Sequence, residues 1–196
     1  MSMKASVGFL IWLVLILVVI PTTQASRRKP RILKAVENLI DEATVIAPTN
    51  HEVCFSPEER CDLKLVRFVE TARSSIDLAV FDINLDQLVH AILVASKRGI
   101  RVRVLVDSRQ AKGSYSLVST LKKGGVDVRR GAQRGLMHHK FMVLDGKRLE
   151  TGSFNFTNHA SRANQENQVY LDDPAIVSRF VGRFEKSWSE ARELKD

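Results

Sequence analysis

A chain of 196 residues, 44% hydrophobic and 27% charged, has the length and composition of one ordinary globular domain. The formal charge is +8, and because the first 25 residues hold only Lys4, the rest carries +7. That excess favours polyanions, either nucleic acid or an anionic membrane surface. The two cysteines, Cys54 and Cys61, fall short of the about four ligands that a zinc site needs. His51 and a carboxylate could complete a set of four, but the spacing matches no common finger. A local disulfide suits an exported domain, and two free thiols suit one that is not exported.

Residues 7–20 are an uninterrupted apolar run after Lys4. The run is short for a full membrane span and suits the core of a signal peptide, with small residues placing a cleavage after Ala25. Arg27, Arg28, Lys29 and Arg31 follow at once, and this positive flank resists translocation. Two readings of residues 1–25 therefore stand. One is a cleaved signal with a periplasmic or secreted domain. The other is an uncleaved anchor that holds the protein at a membrane. Residues 26–50 read as a basic connector with one short helix over 32–42, and residues 51–196 as the folded domain.

Within that domain a strand is expected over 51–55. Ser56-Pro57-Glu58-Glu59 has the form of a capping box with proline at the first helical position, followed by Leu63, Val66 and Val69 at helical spacing. A strand follows over 75–83. Asn84 and Gln87 repeat the capping pattern, and Leu85, Leu88, Val89, Ile92 and Leu93 form one helical face that Gly99 ends. The next strand, 100–107, places Arg101 and Arg103 opposite Val102 and Val104. A helix over 114–123 stops at Gly124-Gly125, and a strand covers 126–129. Asp173-Pro174 opens a last helix with Val177, Phe180, Val181, Phe184 and Trp188 on one side. Strands alternating with helices indicate an α/β domain.

Residues 137–144 read as a further strand, whose side chains alternate between faces. His138 and Lys140 then project side by side, while His139 points away with Phe141 and Val143. Asp145-Gly146 is a hairpin signal. The return strand, 147–151, brings Ser153 and Asn155 back toward the start of the first. The hairpin gathers an imidazole, an ammonium, a hydroxyl and an amide around one point. That set offers a nucleophile and several oxyanion donors without a metal-ligand cluster.

His138-x-Lys140, four residues, Asp145, six residues, then Gly152-Ser153-x-Asn155 resembles the HKD signature of the phospholipase D superfamily. The resemblance extends from about His51 to Trp188. "GSFNFT" and "NQENQVYL" are similar to the small bacterial single-HKD nucleases. "GLMHHKFMVLDG" and "RGIRVRVLVD" are similar to the branch of the mitochondrial cardiolipin hydrolases. "VCFSPEERC" departs from the longer zinc-finger insert of the animal members. The resemblance implies a phospholipase D-like domain with a central mixed β-sheet flanked by helices. It implies His138 as a nucleophile that forms a phosphohistidine. Lys140, Ser153 and Asn155 would hold phosphate oxygens, and Glu166 would be an acidic partner of the histidine. Asp145 belongs to the signature but lies outside direct phosphate contact in the family. His139 reads as packing or support, and His51, His90 and His159 match no catalytic position.

The resulting expectation is metal-independent phosphodiester hydrolysis with no cofactor. The substrate would be nucleic acid, or alternatively an anionic phospholipid at the membrane. A catalytically silent, membrane-anchored nucleic-acid-binding protein is the third reading. The reaction needs both a nucleophile and an acid for the leaving oxygen, and the chain has one copy of the motif. A two-fold homodimer with both copies of His138 at a shared cleft supplies the second imidazole.

Overall fold

The computed structural model describes residues 30–48, 51–131 and 135–194. The apolar run, Ala25 and the cluster Arg27, Arg28 and Lys29 lie outside the described residues. None of the helices among the described residues is long and apolar enough to cross a membrane. The chain divides into two units, Met1–Asn38 and Leu39–Asp196. The second thus begins inside the stretch read as connector. Arg60 Nη1 lies 3.7 Å from an Asp41 carboxylate oxygen, and Arg67 Nη2 donates to Glu42 O at 3.1 Å.

The elements are α1 (Arg31–Thr44), β1 (Glu52–Ser56), α2 (Cys61–Glu70), β2 (Ser75–Val80), α3 (Asp86–Lys97), β3 (Arg101–Asp107), α4 (Val118–Lys123), β4 (Asp127–Gly131), β5 (Lys140–Leu144), β6 (Arg148–Gly152), α5 (Asn158–Arg162), β7 (Glu166–Leu171), α6 (Pro174–Glu190) and β8 (Arg192–Glu193). The strands form one mixed sheet in the order β1-β7-β6-β5-β2-β3-β4-β8. β2, β3 and β4 run parallel, so the chain must cross over between them, and α3 and α4 make the crossovers. β5, β6 and β7 form an antiparallel meander that joins β2 through β5.

The central strands are apolar on both faces, as a sheet covered on both sides requires. Ile76, Leu78, Val80, Val102, Val104 and Val106 pack under α2, α3 and α4. Ala79, Leu105, Phe141 and Val143 pack against Val177, Phe184 and Trp188 of α6. Asp173 caps α6 by accepting from Ile176 N at 2.9 Å, as the Asp-Pro pair indicates. Arg103 lies on this second face. It donates to Asp77 at 2.7 and 3.0 Å and to Glu185 at 3.1 Å, and its guanidinium lies over the rings of Phe184 and Trp188. Burial opposes its charge, but the hydrogen bonds and charges of Asp77 and Glu185 outweigh that and raise its pKa further.

Three helix starts need correction, and the strand expected over 75–83 ends at Val80. The stretch 56–59 does not cap a helix. Ser56 closes β1, and its hydroxyl donates to Ala160 O at 3.1 Å, while Glu59 accepts from Phe55 N at 3.2 Å, so α2 starts only at Cys61. Asn84 does not cap α3 either, because its Oδ1 accepts from Asn158 N at 3.0 Å. The helix expected over 114–123 keeps only Val118–Lys123. Residues before it turn instead, with Ser116 N bonded to Gly113 O at 3.0 Å and Leu117 N to Ile83 O at 3.1 Å. Cys54 and Cys61 form a disulfide that closes the β1–α2 turn. His51 sits 3.6 Å from Asp172 and does not join the cysteines.

Candidate active site

β5 is shorter than expected. Its ladder begins at Lys140, opposite Val80 of β2, and His138 lies just before it. The strand periodicity still assigns the faces correctly. Lys140 Nζ lies 3.5 Å from His138 Nε2 and donates to His138 O at 3.3 Å. An ammonium can only donate, so the first contact uses the Nε2 lone pair. His139 turns to the other face, edge-on to Phe141 with ring centres 5.6 Å apart. It is exposed rather than packed and borders a cleft with Arg179, Arg183 and Lys186. Partial burial, then the charges of Arg183, Lys140 and His138, lowers its pKa.

The β5–β6 hairpin turns at Asp145 and Gly146, with φ of 57° and 64°, and Lys147 N closes it onto Leu144 O at 2.9 Å. Positive φ at both central residues is what an Asp-Gly pair supplies. Phe141 pairs with Thr151, and Thr151 Oγ1 donates to Lys140 O at 3.1 Å. This register returns Ser153 to the Lys140 end of the sheet. Gly152 is required there, because a Cβ would fall 2.0 Å from Asn167 O. Ser153 N donates to Asn167 O, and Asn167 N to Ser153 Oγ, both at 3.1 Å. The Ser153 hydroxyl donates in turn to Glu166 Oε2, and Asn164 Nδ2 donates to Glu166 Oε1 at 2.8 Å. Glu166 therefore engages Ser153 and Asn164, where the sequence reading paired it with the histidine. Asn155 Oδ1 is buried with no hydrogen-bond partner among the described residues. Burial lowers the pKa of Lys140, and the charge of Glu166 partly restores it.

Asp145 is not brought to this cluster. It follows the far end of β5, about 16 Å along the strand from Lys140. There its carboxylate accepts from Arg73 N, Ser74 N and Ser75 N at 2.7 to 3.0 Å, and from Ser74 Oγ at 3.0 Å. Burial alone would raise its pKa, but the donations from Ser75, Ser74 and Arg73 outweigh it and the value is lowered. A cavity of about 910 Å³ at this end is lined by Arg73, Asp145 and Arg148 and touches none of the other signature residues.

Two supporting residues were not singled out from the sequence. Phe81, just beyond β2, lies edge-on to His138 at 4.6 Å, with Lys140 Nζ 5.5 Å from its ring centre. Asp107, 2% exposed at the end of β3, accepts from Arg109 N at 2.9 Å and from Met137 N at 3.1 Å. Its carboxylate thus fixes the residue before His138. In sequence, its signal is only a carboxylate that closes the apolar run of β3. The assembled end of the sheet offers one exposed imidazole, an ammonium, a hydroxyl and an amide. Such a set can bind a phosphoryl group and attack it.

The family described as "Cardiolipin synthase, PLD-like domain" matches residues 65–188. The chain belongs to the phospholipase D superfamily. Within this superfamily of phosphodiesterases it is 36% identical over 169 residues to the mitochondrial cardiolipin hydrolase of Xenopus tropicalis, covering 84% of this chain and 80% of that one. It is 38% identical over 138 residues to the mitochondrial cardiolipin hydrolase of Mus musculus, covering 70% of this chain and 62% of the relative. The phospholipase D-like fold superposes on Nuc of Salmonella typhimurium, described as a phospholipase D family member, with a TM-score of 0.69 and 26% identity. That match covers 74% of this chain and 97% of Nuc. NucT of Helicobacter pylori shares the fold, with a TM-score of 0.70 at 22% identity over 74% of this chain and 99% of NucT. The mixed sheet with flanking helices and the superfamily assignment both agree with the sequence reading.

Proposed function

We propose that the protein is a metal-independent endonuclease acting on single-stranded nucleic acid through a phosphohistidine. The observation that carries the reading is the His138 Nε2–Lys140 Nζ contact beside Ser153 and Asn155. Lys140 Nζ turns from the Nε2 lone pair to a non-bridging oxygen, the freed His138 Nε2 attacks phosphorus in line, and the P–N bond forms as the P–O bond to the leaving nucleoside breaks. Lys140 and Asn155 Nδ2 hold the non-bridging oxygens, and Glu166 keeps the Ser153 hydroxyl oriented. Asp145 supports the hairpin and touches no reacting atom. The leaving oxygen takes a proton from His138 of the partner subunit in a two-fold dimer. The same imidazole then removes a proton from the water that attacks the phosphohistidine, and the P–N bond breaks. The +7 excess beyond residue 25 favours nucleic acid through phosphate attraction.

A second reading, hydrolysis of an anionic phospholipid such as cardiolipin, is favoured by the identity to the mitochondrial cardiolipin hydrolases. It also draws on the apolar run at 7–20 and its basic flank, which would hold the domain at anionic lipid. If the run is cleaved after Ala25, the domain would be periplasmic or secreted. The deciding experiment assays the purified chain in EDTA against single-stranded DNA, RNA and cardiolipin vesicles. Cleavage of an oligonucleotide but not of cardiolipin supports the first reading, and the converse supports the second. Loss of all activity in EDTA, restored by a divalent ion, overturns the phosphohistidine route. The shared site is tested by mixing wild-type and His138→Asn subunits under confirmed exchange. Activity should fall as the square of the wild-type fraction, and a linear fall would show that each subunit acts alone.

A further inference from the structure

A cleft of about 510 Å³ opens beside the reacting cluster and is lined by Asn84, Asp86, Tyr115, Asn158, His159 and Arg162, among others. Asn158 is only three residues from Asn155, so their Cα atoms lie within about 10 Å. Tyr115 is 84% exposed, the most exposed large hydrophobic side chain among the described residues. A loose loop would explain that exposure, but this loop is tied down. Ser116 N bonds to Gly113 O, and Leu117 N bonds to Ile83 O at 3.1 Å. Ile83 is bridged to Phe156, the neighbour of Asn155. The tyrosine and the phosphate-binding amide are therefore braced to the same residue.

Another part of the lining is cross-linked as well. Asn158 Nδ2 donates to Asn84 O at 2.8 Å and to Asp86 Oδ2 at 3.1 Å. Asn84 Nδ2 and Asp86 Oδ1 make no hydrogen bond among the described residues, which leaves one donor and one acceptor on a fixed wall. Asp86 makes this wall unsuited to phosphate, and the polar lining makes it unsuited to an acyl chain. An aromatic ring that shares a cleft with a fixed donor and acceptor is what a planar base with polar edges fits. Arg162 supplies a positive charge at the rim for the neighbouring phosphate.

We propose that this cleft binds the nucleobase next to the scissile phosphate, stacked on Tyr115. The proposal rests on the nuclease reading and deepens it. Stacking of one base contributes about five- to a hundredfold in affinity.

The test uses the full chain, an oligothymidylate, and oligothymidylates of equal length carrying one abasic position on either side of the mapped cleavage point. For the wild type, one of the two abasic positions should raise KM by about five- to a hundredfold. Tyr115→Ala should raise KM on the intact strand by a similar factor, and the same abasic position should then add almost nothing, since both changes remove one contact. Tyr115→Phe keeps the ring and should restore the wild-type KM. Because the side chain is exposed, the melting temperature of Tyr115→Ala should match the wild type, which separates lost stacking from misfolding. If Tyr115→Ala and the abasic strands are cleaved with the wild-type KM, the stacking site is wrong while the nuclease reading stands. If the wild type hydrolyses bis(4-nitrophenyl) phosphate but no oligonucleotide, the nuclease reading fails and the cleft proposal falls with it.

Discussion

At the Asp145 end of β5, a carboxylate accepts from three successive backbone N–H groups and a hydroxyl. At the Lys140 end, the imidazole of His138 is exposed, and Asn155 Oδ1 is buried without a partner among the described residues. Both ends belong to one sequence signature and are joined by a five-residue strand. One end has its polar groups paired, and this pins the hairpin. The other leaves the His138 imidazole open to solvent, and its unpaired Asn155 Oδ1, an acceptor that phosphate oxygens cannot satisfy, costs roughly 1–3 kcal/mol. A motif can therefore join residues by spacing while dividing them between holding the fold and meeting a ligand.

The comparison is tested hardest at the reactive end. His138→Asn should lower kcat/KM by more than about a thousandfold, as loss of a nucleophile does. Its stability should stay within about 0.5 kcal/mol of wild type, because the side chain is exposed. Phosphodiesterase kinetics with parallel urea unfolding read both quantities. Substantial residual turnover in a well-folded variant would remove His138 from the mechanism.

Asp145→Asn should show the opposite pattern. It keeps a side chain suited to positive φ but weakens the bonds to residues 73–75, so stability should fall by about 2–3 kcal/mol. Turnover per folded molecule should change only slightly. The folded pKa of Asp145 is lowered, so its contribution is complete above the unfolded value of about 3.9 and is lost as pH falls through the folded value. The stability gap between wild type and Asp145→Asn should accordingly narrow as the medium is acidified below about pH 4. A gap that stays constant with pH would show that the carboxylate charge is not what holds the turn.

Lys140 offers a smaller effect. Burial lowers its pKa, so its ammonium is lost before that of a free lysine, at about 10.4. The alkaline limb of kcat/KM should fall below that pH and shift upward in Lys140→Arg, which stays charged. His139→Asn should have the least effect, since the ring is exposed and turned toward Phe141. A well-folded but inactive His139 variant would exchange the roles of the two histidines.

The period-two reading of 137–144 placed His138 with Lys140 and His139 with Phe141, because alternation survives even where the ladder has not begun. The Asp145-Gly146 turn was legible because its residue types and its backbone demand coincide. The starts of α2 and α3 were not. Ser56 and Asn84 have capping chemistry, but Ala160 and Asn158, 104 and 74 residues away, take their side chains instead. The engagement of Glu166 with Ser153 depends on how β6 and β7 pair, which the sequence does not display. Phe81 and Asp107 resemble ordinary strand ends in sequence, and only the sheet order brings them beside His138.

The two oxygens of the Asp107 carboxylate have separate duties. Oδ1 accepts from Arg109 and Gln110 at the start of the loop that carries Tyr115, and Oδ2 accepts from Met137 beside the histidine. The address of His138 is thus written on β3 and does not depend on the length of chain that follows Arg109. Doubling such a loop adds only about 0.6 kcal/mol of closure entropy. An insertion near Ser114 should therefore displace Tyr115 while leaving the His138 imidazole where it is.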